Sequence, residues 1–210
     1  MPQSESVRAL DKSLKNSLQR LYHRVFRPQL DPHTREVAEV LLSIPLFESF
    51  SNRSIRNTAG ALHVRRYKRD EYIYRERDPS LGMYIIQEGR VRLVTEDDNG
   101  IHELRLAGDL DVFGELALFG DFRRLETAQA ITETTVLGFF RPELKTMIKR
   151  EPQSAAMLLA AMAGYLAQRH VGLCALLAEK EGKLTAMRMM DAAVHFPESR
   201  PTGSSLVVRP

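Results

Sequence analysis

FGELALFGDFRRLETAQA, residues 113–130, sets Gly114 and Glu115 about ten residues ahead of the paired Arg123 and Arg124, with Glu126 close behind. The sequence around it alternates apolar and polar residues with a period of two from about 61 to 140. HVRRYKRDEYIYRERD (63–78), GMYIIQEGRVRLVTEDDNGIHELRLAG (82–108) and AQAITETTVLGFF (128–140) all show it, separated by turn signals such as Asp97-Asp98-Asn99-Gly100. Short strands with closely spaced turns predict an antiparallel sandwich or roll. One segment breaks the pattern: 115–120, ELALFG, reads as a single helical turn inserted between strands. Something must hold the polar backbone at its start.

The start of that turn presents free amide donors and a partial positive charge, which attract an anion. Gly114 lets the backbone come close to a ligand. Arg124, returning on the next strand, supplies a forked, permanently charged partner for phosphate. Glu115 is placed to accept a hydrogen bond from a ribose hydroxyl. The constellation suits a sugar phosphate with one negative charge.

Helices flank the strand-rich segment. Leu10, Leu14, Leu18, Leu21 and Val25 recur at helical spacing among basic residues, predicting a helix over 6–27. It packs on its own domain or a second subunit, or binds a membrane surface or partner. A short helix follows over about 34–42, and Ser51 is a candidate N-cap for another. Helix returns from Glu143, and Pro152 suits the first turn of a long helix reaching about Gly182. Residues 155–167 are apolar nearly all round, more than one face on a small roll can absorb. A homodimer through residues 153–180 is expected, with Ala160, Ala163, Gly164 and Ala167 allowing close approach.

The fold class expected is thus α+β: an antiparallel β-roll (a double-stranded β-helix, or jelly roll) flanked by N-terminal helices and a long C-terminal dimerisation helix. The expected division is an N-terminal helical extension over 1–36, the roll over 37–150, the long helix over 151–182, and a helix, loop and candidate strand over 183–210.

Bulk composition excludes several function classes. The net charge of +3 comes from 30 basic and 27 acidic residues that are interspersed, a poor footprint for nucleic acid. Cys174 is the single cysteine, which excludes an internal disulfide and a cysteine-ligated metal site and fits a reducing cytoplasm. We expect it to be a buried small side chain. No signal peptide or membrane span is expected. The six histidines contain no His-x-His cluster backed by a carboxylate, so neither a metal site nor enzymatic activity is expected.

IPLFESFSNRSI (44–55), MYIIQEGRVRLV (83–94) and the opening stretch continued to Phe139, in that order, resemble the cyclic nucleotide-binding domain of catabolite-activator-type regulators, over about 40–184. The resemblance implies a cyclic nucleotide ligand, cyclic AMP ahead of cyclic GMP. It places backbone contacts from Gly114, Leu116 and Ala117 around the cyclic phosphate, Glu115 on the ribose 2′-hydroxyl, and Arg124 on the phosphate. Leu125 falls within the same cassette, and Thr127 near phosphate or base. Arg169 and His170 on the long helix are candidates for the base, or lie in the dimer seam or in solvent.

Departures from the family pattern are equally specific. Arg123 replaces a proline, and Leu125 and Glu126 replace small residues. Asp70, Arg77 and Leu110 stand where turn glycines are common, unless GDLDVFGE carries a two-residue insertion. An inward Glu126 would repel a phosphate about 4 Å away by roughly 4 kcal/mol at an effective dielectric of 20. Paired with Arg123 or Arg124 it would neutralise the pocket; turned to solvent it would leave binding intact. Two readings stand. One is a ligand-sensing module, part of a Crp-type transcriptional regulator. The other is a ligand-free dimerisation scaffold whose pocket has lapsed, with Glu126 paired to Arg124. Residues 183–210 resemble the lead-in to a winged helix-turn-helix without its recognition helix, so DNA binding by this chain alone is not expected.

Overall fold

The computed structural model describes residues 31–193; the helix expected over 6–27 and the strand expected near 206–208 lie outside them. Eight strands form two four-stranded sheets. They are β1 (His63–Tyr67), β2 (Tyr72–Tyr74), β3 (Gly82–Glu88), β4 (Val91–Asp97), β5 (Gly100–Ala107), β6 (Val112–Phe113), β7 (Thr127–Ala130) and β8 (Thr134–Phe140). The sheet orders are β1-β8-β3-β6 and β2-β7-β4-β5, with every pairing antiparallel. This is the expected roll. Five helices accompany it: α1 (Pro32–Leu42), α2 (Asn52–Ala59), α3 (Arg141–Arg150), α4 (Pro152–Glu181) and α5 (Lys183–Ala193).

Strand alternation sorts side chains between two cores. Inside the roll, Tyr74, Tyr84, Ile86, Val91, Leu93, Ala107, Phe113, Ala128 and Val136 form one buried cluster. Its aromatic centre is close-knit: Tyr84 and Phe113 stack at 5.4 Å between centroids, and Tyr74 lies 6.0 Å from each. On the other face of β3 and β8, Met83, Ile85, Leu137 and Phe139 are buried. Leu144 of α3, Leu158 of α4 and Ile55 of α2 are buried too, and α4 contacts both α2 and α3. Ser51 caps α2 as expected, accepting the Ser54 amide at 3.2 Å. Asn57 ties α2 to the start of α4 by donating to Glu151 at 2.9 Å and Ser154 at 3.0 Å.

Pro152 opens α4, which runs thirty residues, about 45 Å. Only Ser154, Ala155, Leu158 and Met162 are buried in it. Ala160, Ala163, Gly164 and Ala167 are exposed, and Val171, Leu173 and Leu176 are 66%, 63% and 58% exposed. Cys174, expected to be buried, is only half-buried because this half of the helix extends past the roll. No helix among the described residues is long and apolar enough to cross a membrane.

Three turns carry left-handed backbone on residues other than glycine: Asp70 at φ 67°, Arg77 at 66° and Leu110 at 71°. These are the positions where the resemblance calls for glycine, so the backbone path has been kept and the residue type has not. Leu110 sits in a tight turn, donating to Ile86 O at 2.8 Å while Asp111 donates back to Gly108 O at 3.1 Å. That turn is the one the resemblance expects, so no insertion is needed to explain the sequence. A left-handed non-glycine residue is disfavoured by about 1–2 kcal/mol. Arg77 is exposed, so Arg77→Gly is expected to raise stability by up to about 1 kcal/mol in urea denaturation, whereas Arg77→Val lowers it.

Candidate functional site

Between β6 and β7 the chain makes the one-turn helix foreseen from sequence, a 3₁₀ turn over Glu115–Leu118. Gly114 begins it in left-handed conformation, φ 69°. A Cβ there would lie 2.3 Å from Nη1 of Arg124, so a glycine is required both by the backbone and by the arginine beside it. The chain then returns pinned to the β2–β3 connection, where Arg124 N donates to Asp78 O at 3.0 Å and Arg77 N to Arg124 O at 2.8 Å, and bends at Leu125 and Glu126 before β7.

Within β7, Ala128 and Ala130 are buried; ahead of it Arg124 is 5% exposed and Leu125 65%, while Glu126 and Thr127 are both half-buried. Arg124 Nη1 donates to Gly114 O at 3.0 Å and Nη2 to Gly82 O at 2.7 Å. Its guanidinium lies 3.9 Å over the Tyr74 ring, a cation–π contact in a site largely closed to water. Its Nε is buried with no hydrogen-bond partner.

Glu126 is half-buried and turned toward Tyr74. Its Oε1 accepts from the Tyr74 hydroxyl at 2.8 Å. Burial, reinforced by the Glu126 carboxylate, pushes the Tyr74 phenol far above its ordinary range, so it remains a donor at physiological pH. The Glu126–Arg124 ion pair required by the scaffold reading does not form among the described residues. The terminal nitrogens of Arg124 are taken by backbone carbonyls instead, and the carboxylate is drawn to the phenol.

These groups border a cavity of about 490 Å³. Gly114, Glu115, Leu116, Ala117, Arg124 and Leu125 line it, as does Arg169. Glu115, buried at the turn, forms an ion pair with Arg169 of α4. The helix thus reaches the pocket through one arginine. Two expected residues are elsewhere. Thr127 is not in the cavity lining, and its Oγ1 accepts the Glu76 amide at 2.8 Å. His170, one position past Arg169, is turned away by about 100° of helical rotation and is exposed. Tyr74, Arg105 and Tyr165 were missed. Arg105 and Tyr165 line the cavity, while Tyr74 holds Arg124 and Glu126. The alternation in YIYRERD could have marked Tyr74 as inward.

One buried arginine, a glycine-led turn and a buried acid line a cavity of a size that suits a small ligand. Residues 64–151 match the cyclic nucleotide-binding domain family. This chain carries a cyclic nucleotide-binding domain. It is similar to the CRP-like cAMP-activated global transcriptional regulator of Mycobacterium tuberculosis, 25% identical over 75% of this chain and 71% of that protein. It also resembles the cAMP-dependent protein kinase type II regulatory subunit of Drosophila melanogaster, 29% identical over 66% of this chain but 37% of that protein's length. A solved N-terminal domain of a transcriptional regulator from Streptomyces coelicolor A3(2) superposes with TM-score 0.58 and 27% identity, covering 64% of this chain and 94% of that one.

The turn of the cyclic nucleotide-binding domain tolerates nothing larger than hydrogen at position 114. Gly114→Ala must either displace the Arg124 guanidinium or move the turn. We expect a loss of about 1–3 kcal/mol in chemical denaturation, with Arg124→Leu removing most of the penalty for added bulk at 114.

Proposed function

We propose that the cavity binds a cyclic nucleotide, cyclic AMP in preference to cyclic GMP, and that α4 passes the binding signal to a second copy of the chain. The observation that carries this reading is Arg124: a permanent charge, 5% exposed, in a cavity of ligand size. A charge so buried is justified by an anion as partner. In this reading the phosphate meets Arg124 and the amides of the Gly114-led turn, near Leu116 and Ala117. The ribose 2′-hydroxyl meets Glu115. The preference for cyclic AMP is supported by the similarity to a regulator activated by that nucleotide.

The exposed apolar length of α4 supports homodimerisation through residues 153–180, and with it a role as the sensor half of a Crp-type transcriptional regulator in the cytoplasm. Binding alters that pairing only if the ligand prefers one helix arrangement. A specific observation also favours a second reading, a ligand-free dimerisation scaffold: Glu126 does point inward.

Calorimetric titration with each cyclic nucleotide separates the two. We expect saturable binding of cyclic AMP, tighter than cyclic GMP, weakened about tenfold to a hundredfold by Arg124→Leu. No heat with either nucleotide, regained in Glu126→Ala, establishes the lapsed pocket. Val171→Glu, on the exposed length of α4, is expected to convert a dimer to monomers in sedimentation velocity; an unchanged sedimentation coefficient refutes pairing through that face.

A further inference from the structure

Glu126 is the charge in the cavity that a phosphate does not want, and its position is not left to chance. The bend at Leu125 and Glu126 leaves the side chain half-buried in the lining of the cavity. From there a glutamate has three rotatable bonds and could extend toward water at the cavity mouth, where Arg123 and Leu125 are exposed. It is held in by Tyr74: among the described residues, the phenol supplies the single hydrogen bond to that carboxylate.

The phenol itself cannot follow an outward glutamate. Its ring is buried against Tyr84 and Phe113 and covered by the Arg124 guanidinium. A Cβ on Gly114 would stand 3.4 Å from the Tyr74 hydroxyl and 2.3 Å from Arg124 Nη1, so the hydroxyl lies at the same end of the cavity as the anion-binding groups. The carboxylate it holds is therefore at that end too.

We propose that Tyr74 is a specificity-determining positioning residue, whose hydroxyl keeps the Glu126 carboxylate in the cavity as an internal anion that an entering cyclic phosphate must displace. The proposal rests on the reading that this cavity binds cyclic nucleotides. It assigns the pair a role as a threshold. A ligand with phosphate alone meets a carboxylate already in place, while a nucleotide with sugar and base contacts has additional interactions with which to move it.

The test uses the full chain and cyclic AMP, titrated calorimetrically into wild type, Tyr74→Phe, Glu126→Ala and the double variant. Phenylalanine keeps the ring beneath Arg124 and removes only the donor. Tyr74→Phe is expected to tighten binding about tenfold, the scale of one hydrogen bond to a charged group. Glu126→Ala should tighten it at least as much, and adding Tyr74→Phe to Glu126→Ala should change nothing further. A merely structural tyrosine would shift affinity equally in both backgrounds, and that result overturns the proposal. So does wild-type affinity, or weaker binding, in Tyr74→Phe. If wild type binds and Tyr74→Phe matches it, the assignment of Tyr74 fails alone; if none of the four proteins binds, the cyclic-nucleotide reading fails with it.

Discussion

Arg124 brings a charge that never leaves it into a site that water scarcely reaches, and the surrounding chain is arranged to accommodate that. Its two terminal nitrogens donate to the carbonyls of Gly114 and Gly82, residues from the one-turn helix and the start of β3. Its plane lies over Tyr74 of β2. Three segments distant in sequence thus converge on one guanidinium. Remove it and the buried Gly82 carbonyl and the partly buried Gly114 carbonyl lose that donor, at about 1–3 kcal/mol for a buried group left unsatisfied. The lack of room for a side chain at 114 follows from accommodating this guanidinium.

Glu126 lies two residues past Arg124, at a bend just ahead of β7, and lines the same cavity. An inward carboxylate near a phosphate site looks like damage, but the structure gives it a partner. Tyr74 satisfies the carboxylate without drawing on Arg124, whose donors stay directed at the backbone. Cation and anion are therefore held apart by an aromatic ring that touches both, through its face to the guanidinium and its hydroxyl to the carboxylate. A direct ion pair would have cancelled the pocket's charge.

Much of this was legible in the sequence, and the exceptions are instructive. Strand alternation and turn signals gave the roll, and Ser51 and Pro152 marked helix starts because capping chemistry is local. The buried Arg124 and Glu115 were found because glycine-led turns and arginines serve phosphate in recognisable ways. The place of Thr127 was not legible, because its hydroxyl is engaged by the Glu76 amide, a contact across 51 residues that no local pattern encodes. The inward side of Tyr74 was within reach of the alternation in YIYRERD, but its contact was not. Its tie to Glu126 spans 52 residues and depends on the register of β2 against β7, where Tyr74 stands opposite Ala128. No local pattern encodes such a register. The left-handed Arg77 and Leu110 are similar: neither residue type advertises that conformation, and only the family comparison pointed to it.

Arg169 gives the pocket a mechanical connection. The pocket-facing part of α4 is tied to the one-turn helix by its ion pair with Glu115, and in the proposed reading the same carboxylate accepts a ribose hydroxyl. Both claims on one carboxylate are not independent. A hydroxyl needs an acceptor lone pair that Arg169 now shares, so its arrival must either reshape the ion pair or add to it. Thermodynamic linkage makes the effect reciprocal: whatever moves Arg169 alters ligand affinity by the factor with which ligand alters the position of Arg169. Beyond that residue lie Val171, Leu173 and Leu176, which stay mostly exposed. In the proposed reading, a contact made or broken at Glu115 is carried by the same helix toward that apolar surface.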